Sequence, residues 1–195
     1  MIPQMGDREP KFILASSSPR RKDILGAMGI EFDVVPADVD EALVVESNPK
    51  KLVKRLSLLK ANAVKANDAV VIAADTIVVK GGKVYGKPLT DERAVQMIQE
   101  LSGCWHTVYT GVTVEYLGKV KTFVEKSKVK FNRLSDSQIR EYVDAYRPLD
   151  KAGAYGIQDE TVVETYKGSY TNIVGLPKEK LSKILEKLGV YYGIR

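Results

Sequence analysis

Three groups of side chains have the types and spacing to do chemistry. The first is Ser16-Ser17-Ser18-Pro19-Arg20-Arg21, which follows the apolar run Lys11 to Ala15. It reads as a strand, a hydroxyl-rich turn and a helix start. Pro19 suits the first helical position, because the N–H it lacks would be unpaired there, and Ser18 stands at the N-cap. Two arginines in a first turn face the partial positive charge of the helix end, at roughly 0.3–1 kcal/mol each. An anion reverses that balance: amide N–H groups, hydroxyls and guanidinium forks together make a phosphate pocket. The plainer alternative is a solvated helix start.

The second is Asp75, set between the apolar runs Ala69 to Ala74 and Ile77 to Val79. The first run has the character of a central strand buried on both faces. A carboxylate there is costly without a partner or a job. It reads as a metal ligand or general base, with a structural hydrogen-bond acceptor as the alternative. The third is the acidic turn Ala37-Asp38-Val39-Asp40-Glu41, whose internal repulsion either a cation or plain solvent relieves. Lys60 on a helix opened by Asn48-Pro49, and Lys87 just after the Gly81-Gly82 hairpin, supply further cations.

Several chemistries are excluded. There is no Gly-x-x-x-x-Gly-Lys-Ser/Thr loop and no Gly-x-Gly-x-x-Gly, so P-loop and dinucleotide-binding readings fail. His106 is the single histidine and Cys104 the single cysteine. A histidine metal cluster, a cysteine-based metal site and an intramolecular disulfide are therefore excluded or unsupported. No Gly-x-Ser-x-Gly elbow supports a serine hydrolase. His106 reads as a strand residue with a hydrogen-bonded ring. What remains is carboxylates, lysines and arginines, the inventory of metal-assisted phosphate chemistry: acids hold a hard divalent cation and bases offset phosphate charge.

The elements that must position these groups follow from pattern. Pro19 begins a helix through Ile24, Leu25 and Met28, stopped by Gly29. Glu31 to Pro36 reads as a second strand. Asn48 opens a long helix to about Asn67, with Leu52, Val53, Leu56, Leu59, Ala63 and Val64 as its apolar face. Thr90 caps a helix over Asp91 to Leu101. His106 to Tyr116 and Lys119 to Phe131 read as long strands joined at Leu117-Gly118. Ser135 and Gln138 form a capping box. Pro148 to Asp159 has no clean period and mixes glycines with charges, the mark of a functional loop. Thr161 to Tyr166 reads as a strand, and Asn172 to Pro177 as a turn into a last helix. Mixed strands and helices without repeats indicate an α/β or α+β domain with a mixed sheet.

Composition agrees. The 195 residues are 44% hydrophobic and 28% charged, and the net charge is +5. That is ordinary for a soluble globular chain able to bury its own core. The lysines are spread rather than blocked, so nucleic acid is not the expected partner, while a phosphorylated small molecule is. No apolar run reaches membrane-spanning length, and a cytoplasmic protein is expected.

Taken together, Ala15-Ser16-Ser17-Ser18-Pro19-Arg20-Arg21, Ala74-Asp75-Thr76, Gly86-Lys87-Pro88, Asp150 to Gln158 and Val174-Gly175-Leu176-Pro177 resemble the Maf family of nucleoside triphosphate pyrophosphatases. The correspondence runs in order from about Phe12 to the C-terminal helix, leaving residues 1–10 as a loose tail. The resemblance implies an α/β fold like the Maf and inosine-triphosphatase superfamily, a single domain over 11–195 with a mixed central sheet and two lobes around a cleft. It implies hydrolysis of a nucleoside triphosphate to the monophosphate and pyrophosphate with Mg²⁺ or Mn²⁺. By resemblance, Asp75 is the catalytic acid and proton acceptor, Glu41, Lys60 and Lys87 are active-site residues, and Asp75 with Glu41 holds the metal. Ser16 and Arg20 match the phosphate-binding turn, and Arg21 beside them is a further substrate-binding candidate, with support of the helix start as its lesser role. Arg20, Thr76 and Gln158 match the branch acting on dTTP and UTP, where the 7-methylguanosine triphosphate branch carries tryptophan, glutamine and glutamate. A homodimer is also implied. The alternatives are a modified-nucleotide pyrophosphatase and a non-catalytic regulator of septum formation.

Overall fold

The computed structural model describes residues 10–64, 66 and 68–193. The expected tail through residue 9 and Asn67 lie outside the described residues, and the second helix, expected to reach about Asn67, ends at Ala63. Seven strands form one mixed sheet in the order β2-β1-β3-β5-β6-β7, with β4 paired to β3. These are β1 Lys11–Leu14, β2 Asp33–Val34, β3 Ala69–Lys80, β4 Lys83–Tyr85, β5 Trp105–Tyr116, β6 Lys119–Phe131 and β7 Val163–Lys167. The helices are α1 Pro19–Ala27, α2 Pro49–Ala63, α3 Asp91–Leu101, α4 Asp136–Tyr146, α5 Tyr170–Val174 and α6 Lys178–Lys187. The α/β class with a mixed central sheet is therefore as expected.

The central strand is β3. It pairs in parallel with β1 and in antiparallel with β5. Its first seven residues are buried, including Asp75. The two apolar runs are thus one continuous strand, and the carboxylate interrupts their hydrophobicity without breaking the ladder. β5 and β6 pair along twelve positions from Trp105 to Tyr116. They turn at Leu117 and Gly118, both in the left-handed region, which matches the twist of the strands.

The hydrophobic core is in two main clusters. One gathers Leu14, Leu25, Ile72, Leu181 and Leu185 between α1, α6 and the β1 side of the sheet. The other gathers Val78, Ile98, Leu101, Phe131 and Val143 under α3 and α4. Asp75 sits on β3 between Ala74 of the first and Val78 of the second.

The second helix buries Val53, Leu56 and Val64 of its expected face and departs from it elsewhere. Val53, Leu56, Ser57 and Ala61 are buried, Ala63 is exposed, and Leu52 and Leu59 are half-buried. The reason is a close approach to β5. A Cβ on Gly111 would lie 2.2 Å from the Val53 carbonyl oxygen. Small residues, not the larger aliphatics, let α2 rest on the strand, and Ser57 Oγ lies 3.0 Å from Thr113 Oγ1. The strand expected over 31–36 is only Asp33–Val34, because just those residues pair with β1. The 172–177 segment is partly helical, with α5 capped by the Ser169 hydroxyl. The last strand falls at Val163–Lys167, two residues later than its pattern suggests.

Candidate active site

Among the described residues Asp75 is the one buried carboxylate, 6% exposed in mid-strand. Opposite it in the ladder is Gly111, the residue α2 rests on. That contact carries the helix across the sheet, and two turns beyond Val53 it delivers Lys60 to Asp75. Lys60 Nζ donates to Asp75 Oδ1 at 2.6 Å and lies 2.9 Å from Glu41 Oε1. Glu41 opens a short 3-10 turn, Glu41–Leu43, whose start is fixed by the Asp40 side chain accepting from the Ala42 amide. The sequence-distant acidic turn, helix and strand thus meet on one ammonium. Lys60 is 12% exposed at its side chain, while Glu41 is 54% exposed and faces water.

The hydroxyl-rich turn lies beside this chain. Ser18 occupies the N-cap with extended backbone, but its hydroxyl makes no cap bond. The two arginines that follow go different ways. Arg20 Nη1 donates to Asp150 Oδ2 at 2.6 Å. Arg21 turns inward: Nη1 donates to Ser16 Oγ at 2.9 Å, Nη2 to Thr76 Oγ1 at 3.1 Å and Nε to the Gly175 carbonyl at 2.9 Å. Desolvation pulls the Arg21 guanidinium below its usual range, opposed by the Asp75 carboxylate. Arg21 therefore does more than support the helix start, as its sequence position suggested. It ties the turn, the central strand and the segment before α6 into one frame. Gly175 is required there, with φ +123 and an ideal Cβ 3.4 Å from Thr76 Oγ1.

These groups line one cleft of about 520 Å³, within the roughly 300–1,000 Å³ of small-ligand sites. Its wall brings together Ser16, Arg20, Arg21, Glu41, Lys60, Asp75, Thr76 and Lys87. Apolar surface comes from Val78, Val108, Tyr155, Ile173 and Val174. Asp150 and Lys151 also line it, and no periodicity in the 148–159 segment pointed to them individually. Their signals were charge within a glycine-containing loop and a place in the Asp150 to Gln158 motif, which assigned neither a role. Gln158 is exposed and lies outside the lining residues. His106 is buried, its Nε2 2.9 Å from the Tyr155 hydroxyl, and takes no part in the polar wall.

Among the described residues no group of three or more His, Cys, Asp or Glu is placed to hold a metal ion. The donor set still suits Mg²⁺ or Mn²⁺ in a ternary site. Asp75 and Glu41 are hard oxygen donors meeting at one ammonium. Among the described residues neither Asp75 Oδ2 nor Glu41 Oε2 takes part in a hydrogen bond. Mg²⁺ is commonly held by one or two carboxylates with the rest from water and substrate phosphates.

The family profile described as Maf-like protein matches residues 11–188. A dTTP/UTP pyrophosphatase of Thermosipho africanus is 46% identical over 182 residues, covering 92% of this chain and 94% of the relative. A protein of the same name from Thermosipho melanesiensis is 49% identical over 175 residues, covering 89% and 95%. One from Aquifex aeolicus is 44% identical over 187 residues, covering 94% and 98%. Solved structures of Ham1 proteins from Staphylococcus aureus and Coxiella burnetii overlap 62% and 64% of the chain and 71% and 74% of their own. Both share 16% identity, with TM-scores of 0.44 and 0.45. The chain belongs to the Maf family.

Proposed function

We propose that this Maf-family chain hydrolyses the pyrimidine nucleoside triphosphates dTTP and UTP to the monophosphate and pyrophosphate. The observation that carries the reading is the Asp75–Lys60–Glu41 ion-pair chain at the base of a cleft walled by Arg20, Arg21, Lys87 and Lys151. The relatives' names support the substrate class.

Asp75 and Glu41 would hold the divalent cation. When bound, it supplies Lewis-acid charge at the triphosphate oxygens. Everything else falls to side chains. Arg20 and Lys87 bind the triphosphate and offset its charge, and the backbone and hydroxyls of the Ser16 turn orient it. Asp75 accepts a proton from water as the water oxygen bonds to the α-phosphorus. The bond from that phosphorus to the bridging oxygen breaks, and pyrophosphate leaves with the bond's electron pair. Lys60 fixes the Asp75 carboxylate so that it meets the water with little rearrangement. Arg21 and Thr76 hold the floor in register.

Pyrophosphate release is measured with Mg²⁺ over dTTP, UTP, the other common triphosphates and 7-methylguanosine triphosphate. Turnover on dTTP and UTP that chelation abolishes, and that Asp75→Asn lowers by about a thousandfold in a protein that still folds, supports the reading. An Asp75→Asn enzyme at full rate removes Asp75 from its role. A preference for 7-methylguanosine triphosphate moves the enzyme to the modified-nucleotide branch. Among the described residues no helix is long and apolar enough to cross a membrane, and we place the reaction in the cytoplasm with its nucleotide substrates.

A further inference from the structure

At the mouth of the cleft, Arg20 is joined by two residues to which the reaction gives no role, Asp150 and Lys151. Asp150 Oδ2 accepts from Arg20 Nη1 at 2.6 Å, and its Oδ1 accepts from Lys151 Nζ at 2.9 Å. Its main-chain oxygen accepts from Arg20 Nη2 at 3.1 Å. One carboxylate therefore occupies two cleft cations at once. The burial is lopsided: Arg20 and Lys151 side chains are 26% and 20% exposed, whereas Asp150 is 53% exposed.

We propose that Asp150 is a stand-in for a phosphate group, holding Arg20 and Lys151 together at the mouth until the triphosphate displaces it, and that Lys151 is a further triphosphate-binding residue. The proposal rests on the reading of the cleft as a triphosphate site. Two cations facing one cavity repel each other, and both would turn to water without an anion between them. Asp150 supplies that anion in the free protein. Burial pushes the Asp150 carboxyl up, but Arg20 and Lys151 together pull it down to about 2, so the charge is present at any working pH.

The exchange needs only a side-chain rotation. The loop is fastened by the Gly153 amide on the Gly86 carbonyl at 3.1 Å and by the Ala154 amide on the Lys151 carbonyl at 3.0 Å. A Cβ on Gly153 would lie 3.0 Å from Val78 Cγ2, so the loop backbone is seated against β3. Arg20 keeps its bond to the main-chain oxygen while Oδ2 swings out. Because Asp150 is the exposed partner, it returns to water at small cost, and half-exposed ion pairs are weak. The Lys60–Asp75 pair is the opposite case, buried on both sides.

A carboxylate that must be displaced works against affinity. Removing its charge should tighten phosphate binding by about three- to tenfold. The test is calorimetric binding of inorganic tripolyphosphate to the wild type and to Asp150→Asn, Asp150→Glu and Lys151→Gln, with KM for dTTP alongside. Asp150→Asn is expected to bind tripolyphosphate three- to tenfold tighter with a lower KM. Asp150→Glu is expected to return toward wild type, and Lys151→Gln to bind more weakly, all at similar melting temperature. A purely structural Asp150 would give Asp150→Asn equal or weaker binding. That result, in a wild type that binds tripolyphosphate and turns over dTTP, overturns this proposal alone. A wild type that neither binds tripolyphosphate nor releases pyrophosphate overturns the reading of the cleft itself, and the proposal with it.

Discussion

Gly111→Ala tests how the fold delivers Lys60 to Asp75. The added methyl would lie 2.2 Å from the Val53 carbonyl oxygen, 2.5 Å from its carbonyl carbon and 3.0 Å from the Lys54 amide nitrogen. All three are backbone atoms of α2, so no side chain can step aside. Relief to ordinary contact requires the helix to lift by roughly 1 Å at that point. Overpacking of this kind costs about 1–3 kcal/mol, which for a chain of this size lowers the melting temperature by about 2–12 °C. The lift is transmitted along a rigid helix to Lys60, whose bond to Asp75 is 2.6 Å. A misplacement of about 1 Å at a catalytic group costs on the order of a hundredfold in rate. The assay pairs differential scanning calorimetry with steady-state pyrophosphate release. The expected result is a lower melting temperature and a kcat reduced by about ten- to a hundredfold, with KM changed far less, since Arg20 and Lys87 are on other elements. Wild-type kcat with an unshifted transition would refute the argument that this contact seats the helix.

The other predictions concern different parts of the frame. Gly26 lies in α1 with nothing within 4 Å of an added Cβ, so Gly26→Ala should stabilise by about 0.4–1 kcal/mol in urea titration, mainly by restricting the unfolded chain. Arg21→Lys keeps the charge but cannot make all three fork bonds to Ser16, Thr76 and Gly175; it should cost about 1–3 kcal/mol and lower kcat at least tenfold. His106 is pulled by burial from 6.5 down to about 4. Its neutral form is the folded one, so its contribution is complete above pH 6.5 and declines as pH falls toward 4. Between pH 7 and pH 5 the loss is about 2 kcal/mol. His106→Asn should show a smaller acid-induced loss over that interval in denaturant titrations, and an identical loss would count against the assignment.

Local chemistry made much of the site legible. Pro19 at a helix start, an acid inside an apolar strand and a glycine-containing charged loop are each anomalous on short-range grounds, and all three reach the cleft. The elements were legible where period and caps agree, as with Ser135 and Gln138, whose reciprocal bonds are formed. The second helix's face was legible at Val53, Leu56 and Val64 but not throughout, because a hydrophobic stripe marks the packed face only when the neighbouring surface has ordinary relief. Gly111 makes that surface unusually flat, and Ser57 and Ala61 replace the expected Ala63. The strand at 31–36 was overestimated because alternation does not say how far a partner strand extends.

By itself, the chain's order of residues determined the chemical inventory: hard acids, fixed cations and hydroxyls, with one histidine and one cysteine too few for the rival chemistries. It also determined the central strand, because a continuous apolar run has nowhere else to go. Only the tertiary structure decided which charges meet. Glu41, Lys60 and Asp75 come from a turn, a helix and a strand, and no local rule relates their side chains. Only the tertiary structure separated Arg20 from Arg21. Adjacent residues on a helix point about 100° apart, so one guanidinium reached the cleft mouth and Asp150 while its neighbour was folded into the floor.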